Sequence, residues 1–525
     1  METEIDISKL TLEQKIGQMF LVSFDGIALS EETIEHFLEC KIGNYIYFAK
    51  NFADYKGIRA LSDSLQGVAK EICGLPAFIS VDQEGGMVAR VRTGSSHFPA
   101  GMAVTASGIS LEKVENMGEL VGEGLKNLGI NLNHAPVADV NNNPKNPVIG
   151  ARAFSDKPEV VAEIVSAYIK GIQKSGVMAN VKHFPGHGDT DLDSHLDLPR
   201  INHDIERLHA IELAPFKAAI ASGVDSIMSA HIVFKAIDAD YPATLSKKVI
   251  NGLLREELGF EGLVVTDCMS MNAIKDNFTT QKGCILAINA GVDLICLNAS
   301  NQVQKESVRA VYDAVMSGEI AMETIDAAVG RIMKYKSKYI SPDIPPPMEI
   351  YPSHEKLADE ISERSITLHK NSSSLLPLGE KTVFVISPPP YRSSVANDDI
   401  YKGKAFAAEA AHVLKSDYLV TSRNPDEVDI ADALVKAKNY DIIVCAVCNA
   451  SHNAGQLHLF DALKSAGKAI VLVTLGLPYD ILLMESADVH IAAYEYSNRS
   501  VQSVIKALVG EIEFSGKMPV ELLHR

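Results

Sequence analysis

Short apolar runs recur along the first 300 residues, and a segment of helical periodicity follows each of them. The runs are rich in Val and Ile and are bounded by Gly, Pro, Asp or Asn, as is typical of buried strands. Segment 203–223 predicts an amphipathic helix, with Asp204 as its N-cap and Gly223 just past its end, and segment 246–260 predicts another. The predicted strands are 18–24, 44–50, 76–82, 130–140, 177–184, 225–234, 262–269 and 293–299.

This alternation predicts parallel strands joined by crossover helices. Eight such units favour an α/β fold of the closed (β/α)8 TIM-barrel type over an open doubly wound sheet.

The pattern changes over residues 335–357, where prolines replace regular periodicity. Pro345 to Pro347 predict a stiff extended spacer, and neither Pro342 nor Pro352 is expected inside a regular helix or a central strand. A helix is predicted at roughly 354–369, and four more strands alternate with helices beyond it. We therefore predict a barrel over 1–340, a linker and connecting helix over 341–372, and a smaller αβα sandwich over 373–525. The four later strands are predicted at 381–387, 440–448, 468–476 and 488–494.

The net charge of -18 over 525 residues argues against a nucleic-acid partner, because no basic patch is present to neutralise phosphates. The first 20 residues lack the basic and apolar regions of a secretory signal, and no apolar run reaches a membrane span. The seven scattered cysteines fit a reducing compartment. Cys445 and Cys448 form a CxxC within a predicted strand and are interpreted as buried thiols. We expect a cytoplasmic protein without a membrane partner.

Ionisable residues stand at the ends of four predicted barrel strands. Asp82 and Glu84 end the third strand, Lys182 and His183 end the fifth, His231 lies late in the sixth, and Asp267 ends the seventh. In a parallel barrel these ends meet at one face, where barrel enzymes carry their chemistry. The sequence therefore predicts an active site at this face.

The densest polar stretch is KHFPGHGDTDLDSH, residues 182–195. Metal-assisted hydrolysis would use His183, His187, His195 and aspartates as ligands, but the spacing matches neither HxH nor HExxH. The other chemistry is acid–base and nucleophilic catalysis, with Asp267 as the nucleophile candidate. In that scheme Asp193, two residues before His195, fixes the imidazole and raises its basicity. We expect no metal and no cofactor.

The run KHFPGHGDTDLDSH resembles the signature of bacterial β-N-acetylglucosaminidases of glycoside hydrolase family 3. Further blocks of that family resemble this chain in the same order, so the resemblance spans nearly the whole sequence and is clearest in the barrel. These blocks are VDQEGGMVARV (81–91), PVADVNNNPKNPVIGARAF (136–154), LVVTDCMSM (263–271), NSSSLLPL (371–378) and FSGKMPVEL (514–522).

The resemblance implies a retaining exo-glycosidase built from a barrel and an αβα sandwich. Its nucleophile falls on Asp267, and the histidine acid/base with its aspartate falls on His195 and Asp193. Most retaining glycosidases use a second carboxylate for the proton transfer instead. The family's sugar contacts fall on Asp82, Arg90, Arg152, Lys182 and His183, and more loosely on His231.

Three neighbouring side chains are expected to act as supports. Glu84 lies in a QEGG turn and is expected to orient Arg90. Asp139 is expected to brace the barrel rim, and His187, between two glycines, to hydrogen-bond to backbone.

The absence of tryptophan favours a small pocket that grips one terminal sugar over a long polysaccharide groove. The expected activity removes terminal β-linked GlcNAc from peptidoglycan-derived muropeptides or amino-sugar disaccharides, with the protein a monomer or homodimer. A neutral histidine acid/base repels phosphate less than a carboxylate does, so a β-glycoside phosphorylase is one alternative. A β-glucosidase and a non-catalytic sugar-binding protein are the others.

Overall fold

The computed structural model describes residues 7–95, 97–191, 198–341, 344–372, 374–379, 381–391 and 403–523. Eight parallel strands form the first sheet, in the order β7-β6-β5-β4-β3-β2-β1-β8. They are β1 (Phe20–Val22), β2 (Asn44–Tyr47), β3 (Phe78–Val81), β4 (Leu132–Asn133), β5 (Met178–Phe184), β6 (Ser226–Ser229), β7 (Leu263–Thr266) and β8 (Ile295–Leu297).

The sheet closes on itself through its first and last strands. Phe20 of β1 lies opposite Ile295 of β8, and an isolated parallel bridge joins Val265 to Leu294. Between β7 and β8 the buried Asp293 side chain supplies one of the hydrogen bonds that join the two strands. Its Oδ2 accepts from Val264 N at 2.8 Å. The predicted eight-stranded (β/α)8 barrel is confirmed.

Helices surround the barrel and bury its outer face. The described α-helices of this domain are α1 (Leu12–Gln18), α2 (Glu31–Cys40), α3 (Tyr55–Cys73), α4 (Gly101–Ala106), α5 (Leu111–Asn127), α6 (Pro158–Lys174), α7 (Ile205–Ala210), α8 (Ala214–Ala221), α9 (Asn272–Phe278), α10 (Thr280–Ala290), α11 (Asn301–Met316) and α12 (Met322–Tyr339). A π-helix spans Lys248–Glu257, within the segment predicted as an amphipathic helix.

The single helix predicted over 203–223 is wrong, since α7 and α8 are separate. Pro215 stands in the first turn of α8. Its ring would clash with the carbonyl of Ile211 in a continuous helix, and it has no N–H to donate. The predicted cap is confirmed, because Asp204 Oδ1 accepts a hydrogen bond from Arg207 N at 2.8 Å.

A six-stranded sheet forms the second domain, in the order β9-β14-β13-β12-β10-β11. Strand β9 is antiparallel to β14, and the other pairs are parallel. The strands are β9 (Thr367–Asn371), β10 (Val383–Ser387), β11 (Asp417–Val420), β12 (Ile442–Val447), β13 (Ala469–Thr474) and β14 (Val489–Ala492). The accompanying helices are α13 (Pro352–Ser365), α14 (Phe406–Leu414), α15 (Glu427–Ala437), α16 (Ala454–Ser465), α17 (Asp480–Leu483) and α18 (Asn498–Val509).

Two separate apolar clusters cover the two faces of this sheet, which makes it the predicted αβα sandwich. Val385 and Val471 point into one cluster, whereas Phe384 and Leu472 point into the other, as the alternation of side chains along a strand requires. The four predicted strands are confirmed as β10, β12, β13 and β14.

The segment between the domains differs in detail from the expectation. Pro352 begins α13, where its missing N–H has no helical partner to lose, so the expectation that Pro352 lies outside a helix is wrong.

Cys445 and Cys448 are buried, and burial raises the pKa of each thiol to about 12. None of the helices in the described part of the chain combines the length and apolar composition of a membrane span.

Candidate active site

The carboxyl end of the barrel collects the ionisable residues that follow its strands. Asp82 directly follows β3, and Asp267 directly follows β7. Lys182 and His183 are among the last three residues of β5. His231 lies two residues past the end of β6. The structure therefore brings these five sequence-predicted residues to the same face of the barrel.

Lys182 is the buried cation between two carboxylates. Its Nζ lies 2.7 Å from Asp82 Oδ1 and 2.6 Å from Glu84 Oε1, and its side chain is only 3% exposed. Burial favours the neutral amine, but the charges of Asp82 and Glu84 outweigh burial and raise the pKa of Lys182. The ammonium group is thus fixed at the barrel mouth, with its hydrogen-bonding direction set by two acceptors.

Arg152 binds both oxygens of Glu84 in a bidentate pair. Arg152 Nε donates to Oε2 and NH2 donates to Oε1 of Glu84, both at 2.8 Å, while NH1 donates to Val148 O at 3.1 Å. Burial alone would raise the pKa of Glu84, but Arg152 and Lys182 lower it to about 2. Glu84 therefore stays ionised, which does not suit it to act as a proton donor near neutral pH.

The expected pairing of Glu84 with Arg90 is not the one observed. Gln83–Gly85 and Val88–Ala89 form an antiparallel hairpin that returns Arg90 to the end of β3. Arg90 N donates to Asp82 O at 3.3 Å, and Arg90 NH2 lies 3.7 Å from Asp82 Oδ2. Burial raises the pKa of Asp82, but Lys182 and Arg90 outweigh that effect and hold the pKa well below its usual range.

His183 is oriented by Asp139, which is fully buried. Asp139 Oδ2 lies 2.7 Å from His183 Nδ1, and Asp139 Oδ1 accepts from the backbone N of His183 at 3.2 Å and of His187 at 2.7 Å. One carboxylate thus fixes both the ring and the backbone of this segment. His187 Nδ1 lies 2.9 Å from Thr190 Oγ1. Burial, and to a lesser degree the neighbouring His183, lowers the pKa of His187 to about 4.

His231 and Asp267 meet through Cys268. Cys268 N donates to Asp267 Oδ1 at 2.7 Å, and Cys268 O contacts His231 Nε2 at 3.0 Å. His231 Nδ1 lies 2.9 Å from Thr244 Oγ1. These contacts make His231 a support of the segment that carries Asp267, and its contact with sugar stays a prediction.

Asp193 and His195 lie outside the described residues, and the structure describes the chain on either side of them. On the N-terminal side, Asp189 pairs with His203 and with Arg207 NH2, the latter at 2.9 Å. On the C-terminal side, Arg200–Ile201 pairs in parallel with Val233–Phe234.

A cluster of acidic and histidine side chains lies close to Asp189. Among the described residues, one group of acidic and histidine side chains has ligand atoms within 4.8 Å of one another, namely Asp189, His203 and Glu212. The guanidinium of Arg207 contacts both carboxylates, so it already supplies a positive charge there.

The sequence did not predict a buried polar network that lies below the mouth of the barrel. His134 Nδ1 lies 2.7 Å from Asn180 Nδ2, and His134 Nε2 lies 3.0 Å from Ser80 Oγ. Burial lowers the pKa of His134 to about 4, so the ring is neutral near pH 7. The sequence signal for this network is the set of polar residues inside the apolar segment 130–140, whose overall pattern predicts only a strand.

Family comparisons agree with this architecture. Residues 11–335 match the Glycosyl hydrolase family 3 N terminal domain, and residues 366–525 match the Glycosyl hydrolase family 3 C-terminal domain. The chain belongs to glycosyl hydrolase family 3. It is therefore a glycoside hydrolase, and the resemblance found in its sequence motifs is confirmed.

Individual relatives match either nearly the whole chain or about three fifths of it. Beta-hexosaminidase A of Pseudoalteromonas piscicida is 31% identical, with 98% of each chain covered. The structure of a family 3 β-N-acetylglucosaminidase from Paenibacillus sp. str. FPU-7 is 35% identical, covering 98% of this chain and 99% of that one, with a TM-score of 0.92. A β-N-acetylhexosaminidase structure from Beutenbergia cavernae DSM 12333 is 29% identical and covers 62% of this chain and 99% of that one, with a TM-score of 0.58.

Proposed function

We propose that this family 3 glycoside hydrolase is a retaining exo-β-N-acetylglucosaminidase that removes terminal β-linked GlcNAc. The observation that carries the proposal is the likeness over nearly the whole chain to the Paenibacillus β-N-acetylglucosaminidase. The hexosaminidase name of the Pseudoalteromonas relative, which also matches over nearly its full length, supports the same substrate class.

In the proposed first step, a carboxylate oxygen of Asp267 attacks the anomeric carbon as the bond to the leaving oxygen breaks. His195 gives its proton to that oxygen, and Asp193 stabilises the imidazole and its cationic form. In the second step, water attacks the anomeric carbon, His195 takes the proton of the water, and Asp267 is released. Two inversions at one carbon give net retention.

The surroundings of Asp267 support its proposed role as nucleophile. It is half-buried directly after strand β7, and Cys268 N donates to its Oδ1 at 2.7 Å, which fixes the direction of the carboxylate. His231 Nε2 lies 3.0 Å from the Cys268 carbonyl, so Cys268 is held through both its backbone N–H and its carbonyl.

The network around Lys182 supports a polar sugar-binding surface. Asp82 and Glu84 supply oxygen acceptors, while Lys182 and Arg152 supply donors, all fixed by mutual ion pairs. Charged groups held in this way exchange strong, directional hydrogen bonds with hydroxyls. In the proposal Asp82, Arg90, Arg152, Lys182 and His183 bind the hydroxyls of one terminal sugar.

The proposed physiological substrates are GlcNAc-containing fragments derived from peptidoglycan, cleaved in the cytoplasm. All seven cysteines are free thiols, which is compatible with a reducing compartment.

The test is a panel of nitrophenyl β-glycosides of GlcNAc, GalNAc and glucose, with and without inorganic phosphate. We expect GlcNAc release that phosphate does not accelerate. Asp267→Ala tests the proposed nucleophile in the same assay. Asp276→Ala is its control, because Asp276 is an exposed aspartate of α9. Glucose preferred over GlcNAc, or GlcNAc 1-phosphate as the main product, would contradict the proposal.

A further inference from the structure

The second domain contacts two barrel segments that hold the charged network. We define the Glu84 turn as residues 84–87 and the Arg152 loop as residues 146–152. A cavity of about 220 Å³ lies between the domains, and its wall includes Gly85 and Arg152 from the barrel and Tyr494 and Glu495 from the second domain. Arg152 thus lines a cavity whose opposite wall belongs to the second domain.

Glu495 is the second-domain side chain that lies against the Glu84 turn. It follows β14, is only 3% exposed, and its Oε2 accepts a hydrogen bond from Ala100 N at 2.7 Å. A Cβ added at Gly86 would lie 3.0 Å from that oxygen and 2.5 Å from Ala100 Cβ. Ser497 holds the other carboxylate oxygen, so Glu495 presents a fixed surface to the turn.

Leu477 and Tyr479 make a comparable contact with the Arg152 loop and the segment before it. A Cβ added at Gly150 would lie 2.7 Å from Leu477 Cδ2, and Gly150 has a φ of +45° that favours glycine. Tyr479 OH accepts from Asn141 Nδ2 at 3.0 Å. The second domain therefore leaves the loop little room to move away from Glu84.

We propose that the second domain positions the sugar-binding charges of the barrel, with Glu495 as the positioning residue for the Glu84 turn and Leu477 for the Arg152 loop. The proposal rests on the proposed function, in which Arg152 and Lys182 bind the terminal sugar. Glu84 joins these two cations, so a shift of either segment changes the direction of both. Glu495 does not touch the reacting atoms in this scheme.

The rival interpretation is simple docking, in which Glu495 only fastens one domain to the other. The two interpretations differ in kinetics, because docking affects stability alone. A positioning role affects the binding of the sugar and raises KM more than it lowers kcat. The test therefore measures kcat, KM and the thermal midpoint for each variant of the full-length protein.

Glu495→Ala is expected to raise KM for nitrophenyl β-GlcNAc about tenfold, with kcat changed by less than about threefold. Glu495→Gln keeps an acceptor oxygen for Ala100 N, and its KM should return to within about threefold of the parent. Leu477→Ala should also raise KM, and it serves in place of Glu495→Ala if that variant does not fold.

Asp488→Ala is the matched control. Asp488 flanks the opposite end of β14, and its carboxylate accepts from Ile470 N at 2.8 Å and pairs with Lys464, all within the second domain. It should lower the thermal midpoint and leave KM unchanged. The proposal is overturned if Glu495→Ala and Leu477→Ala keep the parent KM, or if Asp488→Ala raises KM equally. If the parent hydrolyses another β-glycoside instead of GlcNAc, the proposed function fails, and KM for that glycoside tests the positioning role separately.

Discussion

Lys182 Nζ lies 2.6 Å from Glu84 Oε1, and both side chains are almost fully buried. Glu84 also binds Arg152 through both of its oxygens, so one carboxylate joins the end of β5 to the Arg152 loop. Removing one partner of a buried ion pair leaves the others without compensation. Glu84 is therefore the residue on which the geometry of the charged network depends.

Glu84→Gln should reduce kcat/KM substantially while the chain still folds. The amide keeps an acceptor but loses the negative charge, so Lys182 keeps its ion pair with Asp82 while Arg152 loses the carboxylate that it binds at 2.8 Å. The expected loss is about ten- to hundredfold in kcat/KM, or about 1.4 to 2.7 kcal/mol. Steady-state kinetics should be compared with Glu71→Gln, an exposed glutamate of α3. Equal kinetics for the two variants would remove Glu84 from the account.

Glu84→Gln should also change how the free energy of unfolding depends on pH. The pKa of Glu84 is about 2 in the folded state and 4.5 for the ordinary group, so its contribution to stability is fully present above pH 4.5. That contribution is lost as the pH falls from 4.5 toward 2. Urea unfolding between pH 5 and 3 should therefore show a shallower fall in unfolding free energy for Glu84→Gln than for the parent. Parallel curves would mean that the Glu84 carboxylate is not ionised in this way.

Asp139→Ala should destabilise the protein and misalign His183. The substitution removes the acceptor of two backbone N–H groups and of the His183 ring, and each buried donor without an acceptor costs about 1–3 kcal/mol. Asp139→Asn keeps an acceptor oxygen and should recover most of the unfolding free energy. Calorimetry and the KM for nitrophenyl β-GlcNAc check both expectations. Identical melting of the alanine variant and the parent would contradict them.

Sequence periodicity predicted the barrel strands because buried parallel strands are uniform apolar runs. It missed β11 (Asp417–Val420) because that edge strand is mostly exposed and lacks such a run. It missed β9 (Thr367–Asn371) because this segment follows directly on α13 and the predicted helix extends over its first residues.

The candidate site was predicted by strand-end position, which depends on topology alone. The ion-pair partner of Glu84 was not predicted, because it depends on how a hairpin and a distant loop fold over the mouth of the barrel. Arg90 is six residues from Glu84 in sequence, whereas Arg152 is the residue that binds it. Long-range contacts of this kind, including those of Glu495, carry no local sequence signal.

His195→Ala should impair poor leaving groups far more than good ones. Natural disaccharides need a proton on the departing oxygen, whereas nitrophenolate departs without one. Hydrolysis of the glycosyl-enzyme should then limit turnover, and azide, which needs no base, should restore the rate and give a β-glycosyl azide. The measurement is kcat/KM over a series of leaving groups, with product analysis. Equal losses throughout and no azide rescue would assign His195 a structural role.

Asp193→Ala should show a milder form of the same defect. Without the nearby carboxylate the imidazolium is less favoured, so the basic limb of the pH–rate profile should move to lower pH. A profile with an unchanged basic limb would separate Asp193 from the proton transfer.

The most direct test of the account is to trap the glycosyl-enzyme. A fluorinated GlcNAc fluoride, which forms the intermediate faster than water removes it, should be incubated with the protein and the peptides analysed by mass spectrometry. The account predicts one added sugar on the peptide that contains Asp267, and no label on Asp267→Ala. A label on another carboxylate, or steady turnover by Asp267→Ala within about tenfold of the parent, about 1.4 kcal/mol of barrier, would contradict it.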